Sequence, residues 1–470
     1  MEFHSYLFIM VFLPLVVVIY YLLQKLENQK IKICFLIGAS LFWLGCQDTR
    51  SLLFLCISLS VNFCLAKLIK GKNDTVMKYK NILLCVGLFL NVGILGCVRY
   101  TEKIAFLGIS FITFQQIMYL VDTYKGIITD ASFSDYLFYI TFFPKFIQGP
   151  IVKYDALVAG IYQKSPDNKE IFDRVGCGLY FFAIGLAKKV LLADVLAKGV
   201  NYGWEHIDSL SSAEAVIVIL LFTLQIYFDF SGYSHMAIGI ARILGFTLPD
   251  NFNNPYMATG ITDFWARWHI SLTDFLREYI YIPLGGNRKG IVRTLINIMI
   301  VYLISGVWHG AALTFLIWGA FHGLASCIDR LIRPFWKKVP VMLRWICTFG
   351  FVNFAWIFFR APSIESAWCM IKKALAFEQF STSEGLKECF HVAEISFLCG
   401  RFEGFNEWLT MNSGKPMYVF ILTALFLMFF AKDRVDHFKP TIIRSIIAGV
   451  CLFSSIISLS SVVGFIYENF

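Results

Sequence analysis

The chain has 470 residues, of which 58% are hydrophobic and 16% charged, with a formal net charge of +9. A soluble domain carries about a quarter charged residues, so this composition excludes a soluble globular protein and leaves no stretch for a separate aqueous domain. The basic excess sits in short loops between apolar runs, where it sets membrane orientation, and nucleic acid is not an expected partner.

Apolar runs of roughly 15–20 residues recur along the whole length, predicting an all-α polytopic membrane protein with about 11–13 spans and re-entrant helices in a single domain. Residues 1–125 read as about five plain spans at roughly 20 residues per crossing. The first run, Tyr6 to Leu23, has no basic residue before it and no small-residue cleavage site after it, so it reads as a retained span. Lys25, Lys30 and Lys32 then place the first loop in the cytoplasm and the N-terminus outside. The basic loop from Lys67 to Lys80, two spans later, fits that orientation.

From 126 to 330 the pattern breaks. Pro144, Gly149, Pro150, Pro249, Pro255 and Pro283 interrupt apolar stretches, beside Lys145, Lys188, Lys189, Asp229, Arg242, Arg267 and Arg277. Broken, partly polar helices persist at membrane depth only where protein or a water-filled cavity covers them, so this zone is the expected catalytic core. Residues 331–470 return to plain spans. Between the basic loops at Lys337–Arg344 and Lys432–Arg444 lies an acid-rich stretch, 365–415, expected outside, with 363–388 and 394–411 as candidate surface helices. A last span over 446–465 then leaves the C-terminus outside.

The 13 cysteines show no C-x-x-C pair and no metal-ligand spacing, so no metal site is expected and most read as small core residues. Cys389 and Cys399 share the external stretch, where a disulfide can form.

The strongest chemical signal is His309, in SGVWHGA, within a stretch from Thr294 to Leu324 that has no residue charged at neutral pH. A titratable imidazole in such surroundings is a functional candidate. Gly306 and Gly310 leave the nearby backbone bare, which suits a bend or the close approach of a substrate. His322, in GAFHG, reads as a packing or pore-wall residue, and His235 as a partner for Asp229. His4, His206, His391 and His437 lie in loops or near ends, where a solvated role suffices.

The densest constellation runs from Phe228 to Arg293. Asp263 and Arg267 are four apart, as are Thr273 and Arg277, and Asp274 and Glu278, so a helix stacks them on one side. That pattern suits either a buried polar network or an interfacial helix facing lipid headgroups. It closes on LGGNRKG, whose glycines offer backbone amides beside Arg288 and Lys289, a chemistry suited to phosphate, though a plain basic turn has the same composition. Lys188 and Lys189 are open to the same two readings.

The segments FDFSGYSHMAIGIARILGF, NFNNPY, DFWARWHISLTDFLREYIYIPLGGNRKG and SGVWHGAALTFLIWGAFHG together resemble the membrane-bound O-acyltransferase (MBOAT) family, within it the bacterial alginate O-acetyltransferase-like subgroup. SFITFQQIMYLVDTYKG, YITFFPKFIQGPI, GLAKKVLLAD and WIFFRAPSIESAW extend the likeness over most of 105–375. The resemblance implies a helical bundle around a funnel, with His309 as the histidine of the WHG motif needed for acyl transfer and His269, in RWHIS, as the second family histidine. A neutral His309 would act as base, while His269 would position the donor or make a structural hydrogen bond. Arg267, Arg277, Arg288, Lys289 and Lys188 are candidate donor-binding residues. The terminal FIYENF is similar to the C-terminal aromatic motif of envelope-acylating relatives, which makes Tyr467 an acyl relay, or else an aromatic anchor at the interface.

The implied activity is transfer of an acyl group, expected to be acetyl, from a cytoplasmic thioester toward hydroxyls of an envelope polysaccharide. The donor would be acetyl-CoA or a charged acyl carrier protein, with no tightly bound cofactor. An extracytoplasmic SGNH-hydrolase-like acetyltransferase is the expected partner, in the cytoplasmic membrane of a bacterium. D-alanyl transfer to teichoic acid by the same fold is the alternative, and a transporter of an acylated lipid or sugar is the alternative of another class.

Overall fold

The computed structural model describes residues 1–26, 28–71, 74–101, 108–163, 166–390, 415–431, 441–461 and 464–465. Among them the chain is helical with no strand, and a single antiparallel bridge joins Phe252 to Trp268. Seven described helices are long and apolar enough to cross a membrane, and three shorter apolar helices, Phe8–Gln24, Lys415–Phe430 and Ile442–Ile457, accompany them. The molecule is a multi-pass membrane protein.

Contacts divide the chain into two compact units that interleave along the sequence: Met1–Gly185 with Tyr233–Asp250 and Val435–Val450, and Leu186–Gly232 with Asn251–Arg434 and Cys451–Phe470. The first unit is built on the helices Leu13–Gln24, Gln29–Gln47, Thr49–Lys70, Asp74–Thr101 and Ile109–Tyr124. Short side chains start two of them: Asn28 accepts from the amides of Lys30 and Ile31, and Asp48 from those of Arg50 and Ser51, satisfying orphan donors of the first turn. Where apolar faces gain nothing by leaving lipid, polar pairs join the helices. Asn91 donates to Asn62 over 2.7 Å in this way. His4 is buried beside Glu2 rather than solvated, because Phe3 packs against Trp43 and Tyr233 and draws the N-terminus into the unit.

The second unit holds His269, His309 and His322. The helices Gly290–His309, Leu313–Trp336 and Val341–Arg360 pack in sequence, and their contacts sink Trp318, Trp356 and Phe359 into the core. In the acid-rich stretch the described helices are Ile364–Leu375 and Glu384–Glu388, started by Ser363 and Ser383 as caps. The predicted helix 394–411 lies outside the described residues, as does Cys399. Cys389 is a free thiol that donates to the Gly385 carbonyl.

Candidate active site

The uncharged stretch from Thr294 to Leu324 is two helices. The first stops at His309, Gly310 turns the backbone to an extended conformation, and the second begins at Leu313. Neither Gly306 nor Gly310 leaves room for a substrate, contrary to the sequence expectation. A Cβ on Gly306 would lie 2.5 Å from the Phe315 carbonyl oxygen, and one on Gly310 would lie 2.3 Å from the Phe315 ring. A Cβ on Gly319 would meet the Tyr302 carbonyl oxygen at 2.5 Å. These glycines let the two helices cross in backbone contact, as small residues do between membrane helices.

That close crossing encloses His309, which is 3% exposed. Its ring meets Trp308, Trp318 and Phe359 edge to face, with centroids 4.5, 5.0 and 5.0 Å away. The imidazole therefore faces protein rather than hydrocarbon.

His269 is 1% exposed, its ring 6.5 Å from that of Trp308 and 4.6 Å from that of Phe230, so the two histidines neighbour the same indole. It precedes the helix Ile270–Leu276 in a left-handed conformation with φ 45°. For a residue with a side chain this conformation costs about 1–3 kcal/mol and tends to mark functional sites. The loop enforces it: Asn253 N donates to the Arg267 carbonyl, Ile270 N to the Asn251 carbonyl, and Ser271 Oγ to Asn251 Oδ1. Neither His269 ring nitrogen has a hydrogen-bond partner among the described residues. Burial pushes its imidazole down to about 3, so it is neutral at physiological pH.

His322 is a structural member of the same aromatic core. The Trp265 indole donates to its Nδ1 at 3.1 Å, and its ring lies 5.0 Å from Trp318. His235 packs against Phe181, while the Asp229 carboxylate expected to meet it accepts from Lys189 at 2.9 Å.

A cavity of about 400 Å³ opens between these helices, lined by Arg277, Arg330, Arg333, Asp274, Tyr281 and Tyr302 among others. A second cavity of about 130 Å³ shares Arg277, Trp265 and Tyr302 with it and reaches Ser305. Ser305 precedes His309 by one helical turn, about 6 Å of rise. Three guanidinium groups against one carboxylate give the wider cavity an excess of positive charge, and Arg presents a planar fork whose geometry matches phosphate oxygens.

Of the five basic residues singled out in the sequence, Arg277 alone lines this cavity. Arg267 is engaged at 2.7 Å by Asp263, the i,i+4 pair that the spacing implies. Arg288 and Lys289 are exposed on a turn that consumes its own amides: Gly285 N donates to the Ile282 carbonyl and Gly286 N to the Tyr281 carbonyl. Positive φ at both glycines serves the turn, and Asn297 Nδ2 pins it through the Gly286 carbonyl, so these two amides are spent within the turn. Lys188 is buried, 6.0 Å from the centre of the Tyr227 ring. Arg330 and Arg333 were missed because they fall where the apolar pattern fades. Their i,i+3 spacing at the end of a helix begun at Leu313 was the available signal. Tyr467 lies outside the described residues. Among those residues no cluster of His, Cys, Asp or Glu could hold a metal ion.

The profile of the MBOAT, membrane-bound O-acyltransferase family, matches residues 52–368. A peptidoglycan O-acetyltransferase of Helicobacter pylori is 34% identical, covering 100% of this chain and 97% of that protein. A probable alginate O-acetylase of Pseudomonas aeruginosa is 34% identical over 82% of this chain and 76% of its own length. A teichoic acid D-alanyltransferase of Bacillus subtilis is 28% identical over 54% of this chain and 69% of its own length. The chain belongs to the membrane-bound O-acyltransferase family.

Proposed function

We propose that this acyltransferase moves an acetyl group from a cytoplasmic thioester to hydroxyls of a bacterial cell-envelope polysaccharide, peptidoglycan or an alginate-like polymer. The observation that carries this reading is the placement of His309, caged by aromatic rings and one helical turn beyond Ser305, which lines the narrower of two cavities that share Arg277.

The cavity suits a long, phosphate-bearing thioester such as acetyl-CoA or the prosthetic arm of an acyl carrier protein. Arg330 lies twelve residues along the helix from Trp318, about 18 Å at 1.5 Å per residue, so phosphates held by Arg277, Arg330 and Arg333 leave an extended arm to reach inward. Arg288, Lys289, Arg330, Arg333, Lys337, Lys338 and Arg344 gather at one end of the three packed helices. The positive-inside rule assigns that end to the cytoplasm and, by helix order, both termini to the exterior of the cytoplasmic membrane.

In the reaction an acceptor hydroxyl oxygen attacks the thioester carbonyl carbon. Neutral His309 takes the hydroxyl proton, the C–S bond breaks, and the proton passes to the departing thiolate. General-base action of this kind contributes about 10² to 10⁴ in rate. The first acceptor is the Tyr467 phenol, which hands the acetyl group to an extracytoplasmic SGNH-hydrolase-like partner and so to the polymer. His269 supports the base through Trp308. The relatives that acetylate polysaccharide span more of this chain than the D-alanyl relative, which favours acetyl over D-alanyl. The test is transfer of labelled acetyl from acetyl-CoA by the purified protein: His309→Ala should abolish it while expression and thermal midpoint hold, and label transfer at the wild-type rate would overturn the assignment.

A further inference from the structure

Lys189 and Lys188 look alike in the sequence, and the structure places Lys189 in a buried ion cluster. The helix that begins at Asn168 widens to a π-turn over Lys188–Ala193, where the Asp194 amide donates back to the Lys189 carbonyl, five residues earlier. In a regular helix residues five apart point about 140° away from each other, at 100° per residue. The π-turn, a feature enriched at functional sites, instead brings the Asp194 carboxylate to Lys189 Nζ at 2.8 Å. Asp229, from the helix Ser212–Ile243, supplies the second carboxylate at 2.9 Å.

An ammonium group has three protons to donate. Two go to these carboxylates, and the third reaches the carbonyl oxygen of Gly464 at 3.2 Å. The same Nζ lies 4.4 Å from the centre of the Phe465 ring, which is fully buried. Two contacts from one buried cation thus hold a tail whose last described helical turn ends at Ser461. A cluster needed only to join two helices would have no use for either.

We propose that Lys189, held by Asp194 and Asp229, anchors the C-terminal segment and is thereby a positioning residue for the Tyr467 phenol. The functional half of this rests on the relay reading of Tyr467. Tyr467 follows Phe465 by two residues, so loss of the Phe465 contact should lower the effective concentration that makes transfer within one molecule fast.

The experiment uses the full-length purified protein and reads two signals: the rate at which a carboxypeptidase trims past Tyr467, and acetyl transfer from acetyl-CoA to polymer in the presence of the extracytoplasmic partner. Lys189→Met leaves two carboxylates unpaired and risks misfolding, so the decisive variant is Phe465→Ala, which keeps the ion cluster whole. A desolvated cation–π contact is worth about a factor of ten or more, so Phe465→Ala should accelerate trimming and slow transfer per folded molecule by at least that much. Trimming within about twofold of wild type would overturn the anchor. Faster trimming with undiminished transfer would uphold the anchor and remove Tyr467 from the acetyl route.

Discussion

The Trp265 indole donates to Nδ1 of His322 across 3.1 Å, which makes that nitrogen an acceptor and leaves the ring proton on Nε2. His322 and His309 flank the same Trp318 indole, each 5.0 Å from it, so the two histidines occupy matching positions with different duties. One is tied into the packing, while the other ends a helix.

The first prediction follows from that difference. His322→Phe preserves the ring but strands the Trp265 N–H, which should destabilise the protein by about 1–3 kcal/mol. Thermal unfolding in detergent should register the loss. Acetyl transfer per folded molecule should stay within about tenfold of wild type, short of the full general-base contribution expected of His309.

Charge removal in the cavity should separate binding from chemistry. Arg330→Gln and Arg333→Gln each delete a charged phosphate contact that ground state and transition state share, so KM for acetyl-CoA should rise by about tenfold, equivalent to 1.4 kcal/mol, with kcat little changed. Arg288→Gln, on the exposed turn, should leave both constants alone. Steady-state kinetics across the three variants decides whether the cavity or the turn receives the donor.

His269 makes stability depend on acid. Burial holds its folded-state imidazole near 3, below the ordinary value of 6.5, so the unfolded chain binds the proton first. Stability should be complete above about pH 6.5 and fall as pH drops toward 3, by a few kcal/mol in all. His269→Gln should flatten that limb in a denaturation series run from neutral to acid pH, and an unchanged slope would contradict the burial argument.

Helix crossing can be probed at Gly319, whose added Cβ would lie 2.5 Å from the Tyr302 carbonyl oxygen and 3.2 Å from the Gly306 Cα. Gly319→Val should cost about 1–3 kcal/mol through overpacking. It should also displace Tyr302 from the wall of both cavities and raise KM. Gly350→Val, at a position where an added Cβ meets nothing within 4 Å, is the matched control.

The sequence made some of this arrangement legible because certain features are local. The Asp263–Arg267 pair and the helical class follow from spacing and from apolar run lengths. The turn at 285–290 stayed open in the sequence because the same glycines serve an anion cradle and a turn that satisfies itself, and only the acceptor of each amide tells them apart. The Lys189 cluster was invisible for another reason. Its carboxylates come from a π-turn that periodicity does not encode and from a residue forty positions away. His269 entered by resemblance, but its left-handed backbone depends on Asn251, which no sequence pattern links to it.

The break after His309 has an electrical consequence. A helix that stops there has its final carbonyls unmatched by any later turn and carries a partial negative charge at that end, worth about 0.3–1 kcal/mol to a nearby cation. Under the proposed function the ring accepts a proton from the attacking hydroxyl, and the new positive charge then forms at the terminus of that helix able to welcome it, so the interruption of the span gives the aromatic cage a counter-pole.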